Sequence, residues 1–337
     1  MKKGFAKGVA LACAFVCVGL SGCRPSVPNG EITVYMPDGA PALALAKLMH
    51  EDTEDDGVTY RVVDSSLISS KVTNRDAAKN ADVCVLPVTA AAKLLGTGET
   101  YKMLGTVTHG NLYLLAKEEG AITAENLSTL VGKKVGVLQM TSVPGLTFKA
   151  TLSSHGIAWQ EVTNEGGMVE DKVNLFAISG ADAVGVIEAD YFMIAEPAAS
   201  AQSKKGYSIV GNVQTLYGGE NGFPQAALVA KNILLVERDD WVKSFVERVD
   251  GASAWLTETD GQTLVATVNA HMDDRTSETS LKAPLLTQTA LAGCGIRFTY
   301  AAADFEEVNA FLTKLLLVND KATAMPSENF YWTYFEP

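Results

Sequence analysis

Cysteine is scarce in this chain, which has five cysteines in 337 residues. Three of them lie within the first 23 residues, so that only Cys84 and Cys294 remain for the rest of the protein. Two cysteines cannot form a disulfide framework. Cys84 lies inside an apolar run at 82–86, and we expect it to be a buried free thiol rather than half of a bridge.

Catalytic and metal-binding patterns are also missing from the sequence. The four histidines do not have the spacing of metal ligands: they are His50, His109, His155 and His271. The nucleophile motif Gly-x-Ser-x-Gly, the zinc motif His-Glu-x-x-His, a phosphate-binding loop and paired Cys-x-x-Cys motifs are absent as well. The sequence therefore predicts a protein that is not an enzyme and that needs no metal or cofactor.

Positive charge and long apolar runs are limited too. The chain has 27 Lys and Arg against 39 Asp and Glu, a formal net charge of −12, so a nucleic-acid partner is not expected. Beyond the N-terminus, no stretch reaches the roughly 18 apolar residues that indicate a membrane-spanning helix. We expect a monomeric body with no second membrane segment.

The N-terminus has the three-part pattern of a secretory signal. Basic Lys2, Lys3 and Lys7 precede an apolar run at 9–20, which ends in Leu-Ser-Gly-Cys at 20–23. This order resembles the lipobox of bacterial lipoproteins, in which the cysteine becomes the first mature residue and carries lipid. An ordinary signal peptide with a chance cysteine is the alternative. We expect a signal at 1–22, lipidation of Cys23, a tether at 23–30, and an extracytoplasmic protein anchored to the cell membrane by lipid.

From residue 31 onward, short β-branched runs alternate with helical patterns. This alternation predicts α/β layers with largely parallel sheets, and the length suits two domains better than one. Strands are expected at 32–36, 58–64, 82–86, 181–187 and 224–230, with a helix at 189–195 and a pair of strands at 101–107 and 111–117. Gly156 is expected to end a helix in the left-handed conformation, and the chain beyond 239 is expected to be mostly helical.

Three segments carry a resemblance to a known family. They are Ile-Thr-Val-Tyr-Met-Pro-Asp-Gly-Ala-Pro-Ala-Leu-Ala-Leu-Ala-Lys-Leu at 32–48, Leu-Val-Gly-Lys-Lys-Val-Gly-Val at 130–137, and the strand at 225–231 before an acidic-aromatic stretch at 237–241. In this order, after a lipobox, they resemble ABC-transporter substrate-binding lipoproteins. The most similar group is the one for nitrate, sulfonate, taurine and thiamine-pyrimidine (NMT1/THI5-like).

The resemblance implies a type II periplasmic-binding-protein fold, in which two α/β lobes clamp a small molecule and deliver it to the transmembrane subunits of an ABC permease. Lobe 1 would comprise 31–112 and 227–337, and lobe 2 would comprise 113–226, with the chain crossing twice between them. A sensory ligand-binding protein would share all of these features. The fungal pyrimidine-synthase branch of the superfamily is an enzyme, but its cysteine-rich run has no counterpart here.

Candidate ligand contacts follow the predicted strands. In open α/β sheets, ligands bind beyond the carboxyl ends of strands, where helix N-termini present unpaired N–H groups. Helix capping is the alternative role for each such loop, and a structural hydrogen bond is the alternative for the histidine. The candidates are Asp38, Gly39, Ala40, Ser65, Ser66, Pro87, Val88, Thr89, His109, Asn111, Thr141, Ser142, Glu188, Tyr217, Asn221 and Phe223.

The charge of these loops predicts the class of ligand. The presumed cleft loops contain no Lys or Arg, but they contain the acids Asp38, Asp64, Glu188, Asp190 and Glu220. Together with the two aromatic side chains among the candidates, these acids favour a neutral or cationic nitrogen heterocycle such as a thiamine-precursor pyrimidine. A small oxyanion (a sulfonate, taurine or nitrate) is the alternative, because helix N-termini can bind anions through backbone N–H groups.

Overall fold

The computed structural model describes residues 31–52, 57–118, 120–218 and 222–333. The predicted signal, the predicted tether, Cys23 and Asn221 lie outside these residues. The strands are β1 Ile32–Pro37, β2 Val58–Val63, β3 Val83–Pro87, β4 Tyr101–His109, β5 Leu112–Ala116, β6 Lys134–Leu138, β7 Trp159–Glu161, β8 Val173–Ile178, β9 Tyr191–Ala195, β10 Ser208–Asn212, β11 Pro224–Lys231 and β12 Ile296–Tyr300.

The α-helices fall between these strands and, after β11, form most of the C-terminal third. They are α1 Ala40–Ala44, α2 Ala46–Glu51, α3 Val88–Leu95, α4 Val143–Ser154, α5 Ala198–Ala201, α6 Val213–Tyr217, α7 Asn232–Glu237, α8 Asp239–Asp250, α9 Ala252–Glu258, α10 Gly261–Ala270, α11 Gln288–Gly293 and α12 Ala301–Val318. In the part of the chain described, no helix combines the length and the apolar character needed to cross a bilayer.

The strands form two six-stranded sheets. Sheet 1 has the order β12-β4-β11-β3-β1-β2, and sheet 2 has the order β10-β5-β9-β6-β8-β7. Both sheets are mixed: β2, β1 and β3 pair in parallel, as do β9, β6, β8 and β7, whereas the remaining neighbours are antiparallel. We call sheet 1 with its helices lobe 1, and sheet 2 with its helices lobe 2.

The chain crosses between the lobes twice. It leaves sheet 1 at the end of β4, enters sheet 2 with β5, and returns between α6 and β11. The expected pairing of 101–107 with 111–117 is therefore wrong, because β4 and β5 belong to different sheets and the kink between them is the first crossing. The residue boundaries predicted for the lobes stay predictions.

The segment 181–195 also differs from the sequence prediction. The expected strand at 181–187 and helix at 189–195 are replaced by a short 3-10 turn at Ala181–Ala183, an exposed loop and strand β9. The side chain of Val186 is 81% exposed, whereas Phe192, Met193 and Ile194 are fully buried in sheet 2. The sequence of a short apolar run is compatible with both a strand and a helix. Here the run forms a strand because it pairs between β5 and β6 at the centre of sheet 2.

Glycines at and beside the crossings allow separate backbone segments to approach each other closely. Gly110, Gly222 and Gly295 all have positive φ, and a Cβ at Gly295 would lie 2.2 Å from the carbonyl oxygen of Gly110. A Cβ at Gly222 would lie 2.5 Å from the carbonyl oxygen of His109. Only glycine fits such positions without strain. Elsewhere, Gly156 has φ +70° after α4, which confirms the expected helix end.

Behind the crossings, an apolar cluster joins the two lobes. Phe223 stacks on Phe311 of α12 with ring centroids 5.4 Å apart, and Tyr217 packs edge-on against both rings. Both phenylalanines are fully buried. Burial also raises the pKa of Tyr217 to about 12. This packing joins α12 of lobe 1 to α6 of lobe 2.

Candidate functional site

A cavity of about 820 Å³ lies between the two lobes. It is formed where the parallel strands β1, β3, β6 and β8 end, as expected for open α/β sheets. Lobe 1 and the crossings contribute Pro37, Asp38, Gly39, Ala40, Pro41, Ser65, Ser66, Pro87, Thr108, Asn111, Gln225, Ala226, Ser280, Leu281, Lys282 and Leu285. Lobe 2 contributes Leu138, Gln139, Ser142, Val143, Pro144, Ser179, Gly180, Ala181, Asp182, Ala195, Glu196, Pro197 and Ala198.

Helix α4 directs its N-terminus at the cavity. Ser142 is the N-cap residue, and Val143 and Pro144 follow it along the cavity wall. Proline fits this first turn because its missing N–H would have no partner there. The Ser142 side chain makes no capping hydrogen bond, so the first amides of the helix are not satisfied by it. A helix N-terminus of this kind favours a negatively charged group.

Polar side chains without partners line the floor at the crossings. Thr108 Oγ1, Asn111 Oδ1 and Gln225 Oε1 are buried, and none has a hydrogen-bond partner within the described part of the chain. The Asn111 amide nitrogen donates to the Glu196 carbonyl at 3.4 Å, whereas its side-chain oxygen has no partner among the described residues. Because buried polar groups are normally paired with protein or with ordered water, these oxygens are candidate hydrogen-bond acceptors for a bound water or ligand.

Two carboxylates of the cavity wall, those of Asp38 and Glu196, accept hydrogen bonds from nearby amide and hydroxyl groups. Asp38 accepts hydrogen bonds from the Gly39 amide, the Thr279 hydroxyl and the Ser280 amide at 2.9, 2.5 and 2.7 Å. Glu196 accepts from the amide and hydroxyl of Ser200 at 2.9 and 2.5 Å at the start of α5. Asp38 thus holds the loop that follows α10 against the edge of the cavity.

That loop brings a cation to the site. Lys282 lines the cavity, and its ammonium group lies 3.5 Å from the carbonyl oxygen of Thr279. The sequence interpretation assigned no cleft residue to this region, so its premise of a wall without Lys or Arg is wrong. Of the acids counted there, Asp64, Glu188 and Asp190 are absent from the lining, and Glu220 lies outside the described residues.

The sequence candidates divide into three groups. Those that line the cavity are Asp38, Gly39, Ala40, Ser65, Ser66, Pro87, Asn111 and Ser142. Those that lie beside the lining or away from it are Val88, Thr89, His109, Thr141, Glu188, Tyr217 and Phe223. Asn221 falls outside the described residues. Sequence reasoning missed the loop residues Ser280 and Lys282 and the lobe 2 residues Ser179, Asp182 and Glu196. Gln139 and Gln225 belong to presumed cleft loops, but they were not named as ligand contacts.

His109 lies just beneath the floor of the cavity. Its Nε2 atom is 2.7 Å from the Thr106 hydroxyl and 3.1 Å from the Thr299 hydroxyl, and Asp304 lies 3.8 Å away. His109 and Asp304 are both almost fully buried. These contacts tie β4 to β12 and α12, which fits the structural role that the sequence analysis held open. No cluster of three potential metal ligands occurs in the described residues.

No protein-family model and no curated protein sequence matches the chain. Solved structures do. An ABC transporter structure from Parabacteroides distasonis superimposes with a TM-score of 0.67 at 19% identity, covering 91% of this chain and 100% of that chain. The periplasmic aliphatic sulphonate binding protein from Escherichia coli gives 0.63 at 16% identity, covering 91% and 94%.

A third structure, the alkanesulfonate-binding protein from Xanthomonas axonopodis pv. citri bound to MOPS, gives a TM-score of 0.59 at 14% identity, covering 91% of this chain and 99% of that chain. At these identities the likeness shows the fold. The chain has the two-lobed type II periplasmic-binding-protein fold, as predicted, and its structural neighbours include ABC-transporter substrate-binding proteins.

Proposed function

We propose that the protein is the solute-binding component of an ABC import system, which captures one small molecule between its lobes and delivers it to a permease. The observation that carries this proposal is the interlobe cavity, which is lined by a helix N-terminus and by residues whose buried side-chain oxygens have no partner in the described part of the chain. The similar architecture of transport binding proteins supports it. Binding, rather than catalysis, is the activity that this set of groups favours.

We propose a small organic oxyanion, such as an alkanesulfonate, as the ligand. The ammonium group of Lys282 and the free amides at the start of α4 are donors suited to an anion. Apolar wall residues such as Leu138, Leu281 and Leu285 suit an alkyl body. Because Asp38 already accepts hydrogen bonds from Thr279 and Ser280, and Glu196 from Ser200, their charges are partly compensated.

A nitrogen heterocycle is a second candidate, favoured by the floor. Asn111 and Gln225 line the cavity and have side-chain oxygens without a described partner, and Asp182 adds a carboxylate to the lobe 2 wall. Such acceptors pair with N–H groups of the kind an aminopyrimidine carries. The two candidates therefore differ in which groups would provide the main binding energy: Lys282 and the start of α4 for the oxyanion, or the acceptors at the floor and wall for the heterocycle.

A titration panel separates them. Ligand-free protein, prepared by unfolding, dialysis and refolding, is titrated calorimetrically with ethanesulfonate, MOPS and nitrate, and in parallel with aminopyrimidine and adenine. We expect the sulfonates to bind, and to stabilise the protein by about 2.7 kcal/mol at a hundredfold excess over Kd. Binding by the heterocycles alone would establish the second candidate. Binding by neither class would refute the proposal that the protein binds solutes of these two classes.

Lys282 provides a sharper test of the anion. The variant K282Q removes the cation and should weaken sulfonate binding about 10- to 100-fold, the value of a hydrogen bond to a charged group. The control K133Q removes an exposed lysine that precedes β6, at the end of the strand away from the cavity, and should leave the Kd unchanged. Equal affinities for K282Q and the wild type would contradict an anion at this position.

We further propose that the protein is a lipoprotein held outside the cytoplasm by lipid on Cys23. This proposal is supported by the sequence pattern at 1–23, which precedes the described residues. An anchor of this kind would keep a binding protein near its permease, because several acyl chains hold a protein firmly to a bilayer.

A further inference from the structure

Gln139 has an unusual backbone at the wall of the cavity. It follows the last residue of β6 and has φ +47°; among the described residues no other non-glycine residue has a positive φ. The left-handed conformation is unfavourable for a residue with a Cβ, and glycine would occupy it freely. Strained residues of this kind concentrate where a ligand is held. Gln139 also lines the cavity.

The Met140 carbonyl, in the turn that begins at Gln139, is contacted from two sides. Lys149 of α4 donates from its ammonium group to the Met140 carbonyl at 3.0 Å. On the other side, a Cβ at Gly145 would lie 2.4 Å from the same carbonyl oxygen, so the first turn of α4 packs directly on it. The turn closes with a hydrogen bond from the Ser142 amide to the Gln139 carbonyl at 2.9 Å.

Lysine is an uncommon residue at a position as deeply buried as 149. Its side chain is 3% exposed, it forms an ion pair with the half-exposed Glu161 of β7, and its ammonium group lies 5.4 Å from the centroid of the Trp159 ring. Burying an ammonium group is costly, and an apolar residue of similar length would fill the same space without that cost. The buried ammonium group thus has two partners, the Glu161 carboxylate and the Met140 carbonyl.

We propose that Gln139 is a ligand contact that sets selectivity, and that the buried Lys149 is the positioning residue that holds it in the left-handed conformation. This inference rests on the proposed solute-binding function. The amide of Gln139 offers both a donor and an acceptor, so it can bind an oxygen of a sulfonate while the amides at the start of α4 bind another. Lys149 acts only through the backbone at 139–142, since it does not line the cavity.

A double-mutant cycle tests this link, with MOPS as the probe. K149M keeps the unbranched chain and removes the charge, and Q139G relieves the backbone strain while it removes the side chain. We expect each single change to weaken MOPS binding about tenfold, and K149M to change the Kd less than twofold in the Q139G background. A full tenfold loss in both backgrounds would overturn the proposal, because Lys149 would then act independently of Gln139.

Two further measurements separate positioning from general destabilisation. The control K134M removes a comparable lobe 2 ion pair, with Glu165 at 2.8 Å, and should leave MOPS affinity within twofold of the wild type. Hydrogen exchange at the Ser142 amide needs no ligand, and K149M should accelerate it at least tenfold. Unchanged exchange would refute the positioning role. If the wild type binds no compound of the panel, the ligand contact falls together with the proposed function, whereas the exchange result still decides what Lys149 does.

Discussion

Gly295, just before β12, packs against the backbone of the first crossing, and replacing this residue with alanine gives a quantitative test of the fold. The residue has φ +62°, and an added Cβ would lie 2.2 Å from the Gly110 carbonyl oxygen and 2.5 Å from that of His109. Both atoms belong to backbone, and the His109 amide donates to the Gly295 carbonyl at 2.8 Å. The local structure therefore has no flexible group that can move aside.

Two costs add for G295A. A left-handed backbone costs a residue with a side chain about 1 to 2 kcal/mol. Forcing a methyl group into a filled space costs about 1 to 3 kcal/mol more. We therefore expect the free energy of unfolding to fall by about 2 to 5 kcal/mol.

Gly206 provides the matched control, because it has φ +77° with nothing within 4 Å of an added Cβ. G206A should lose only the backbone cost of about 1 to 2 kcal/mol. Urea denaturation followed by circular dichroism measures both variants against the wild type. Equal losses for G295A and G206A would refute the close approach at the crossing.

The remaining predictions concern thiols, pH and the anchor. Cys84 and Cys294 are free and buried, and burial raises the pKa of both thiols, that of Cys294 to about 12. Ellman's reagent should therefore label neither thiol in the native protein and both in urea. Labelling of the native protein would contradict their burial. Burial and nearby Asp304 raise the pKa of Glu307 above its ordinary value of 4.5, so that ionisation of this carboxyl costs stability as the pH rises above 4.5. By urea midpoints, E307Q should therefore be more stable than the wild type at neutral pH and equal to it below pH 4.5. No gain in stability at neutral pH would contradict this. C23A should move the protein from washed membranes to the soluble fraction, and retention in the membranes would exclude lipid at that residue as the anchor.

Part of the cavity was predictable from sequence because its parts are local. The β1 to α1 turn with Asp38, Gly39 and Ala40 follows a strand and precedes a helix, and this order alone places it at the edge of a sheet. The same holds for Pro87 and Ser142. The periodicity of apolar residues and the glycine at position 156 likewise report on their own neighbourhoods.

The rest depends on contacts that are distant in sequence. Lys282 reaches the cavity because Asp38 binds the amide of Ser280, a residue 242 positions later in the chain. Nothing in a polar loop between two helices signals such a partner. Tyr217 and Phe223 were misplaced for a related reason: aromatic residues near a crossing suit a binding cleft, but they pack on Phe311 from the C-terminal helix α12.

The two crossings also bear on how the protein folds. Lobe 2 is one continuous segment, and its first and last strands are neighbours: Tyr113 of β5 is paired with Asn212 of β10. Lobe 1, in contrast, needs β11 to lie between β3 and β4, although all of lobe 2 separates β4 from β11 in the sequence.

Once lobe 2 has folded, its ends are held side by side, and the loop that lobe 1 must close becomes short. A tenfold reduction in effective loop length saves about 2 kcal/mol of chain entropy. Lobe 2 can therefore form as soon as its own residues are available. Its folding then brings the two halves of lobe 1 close together, so that β11 can pair with β3 and β4.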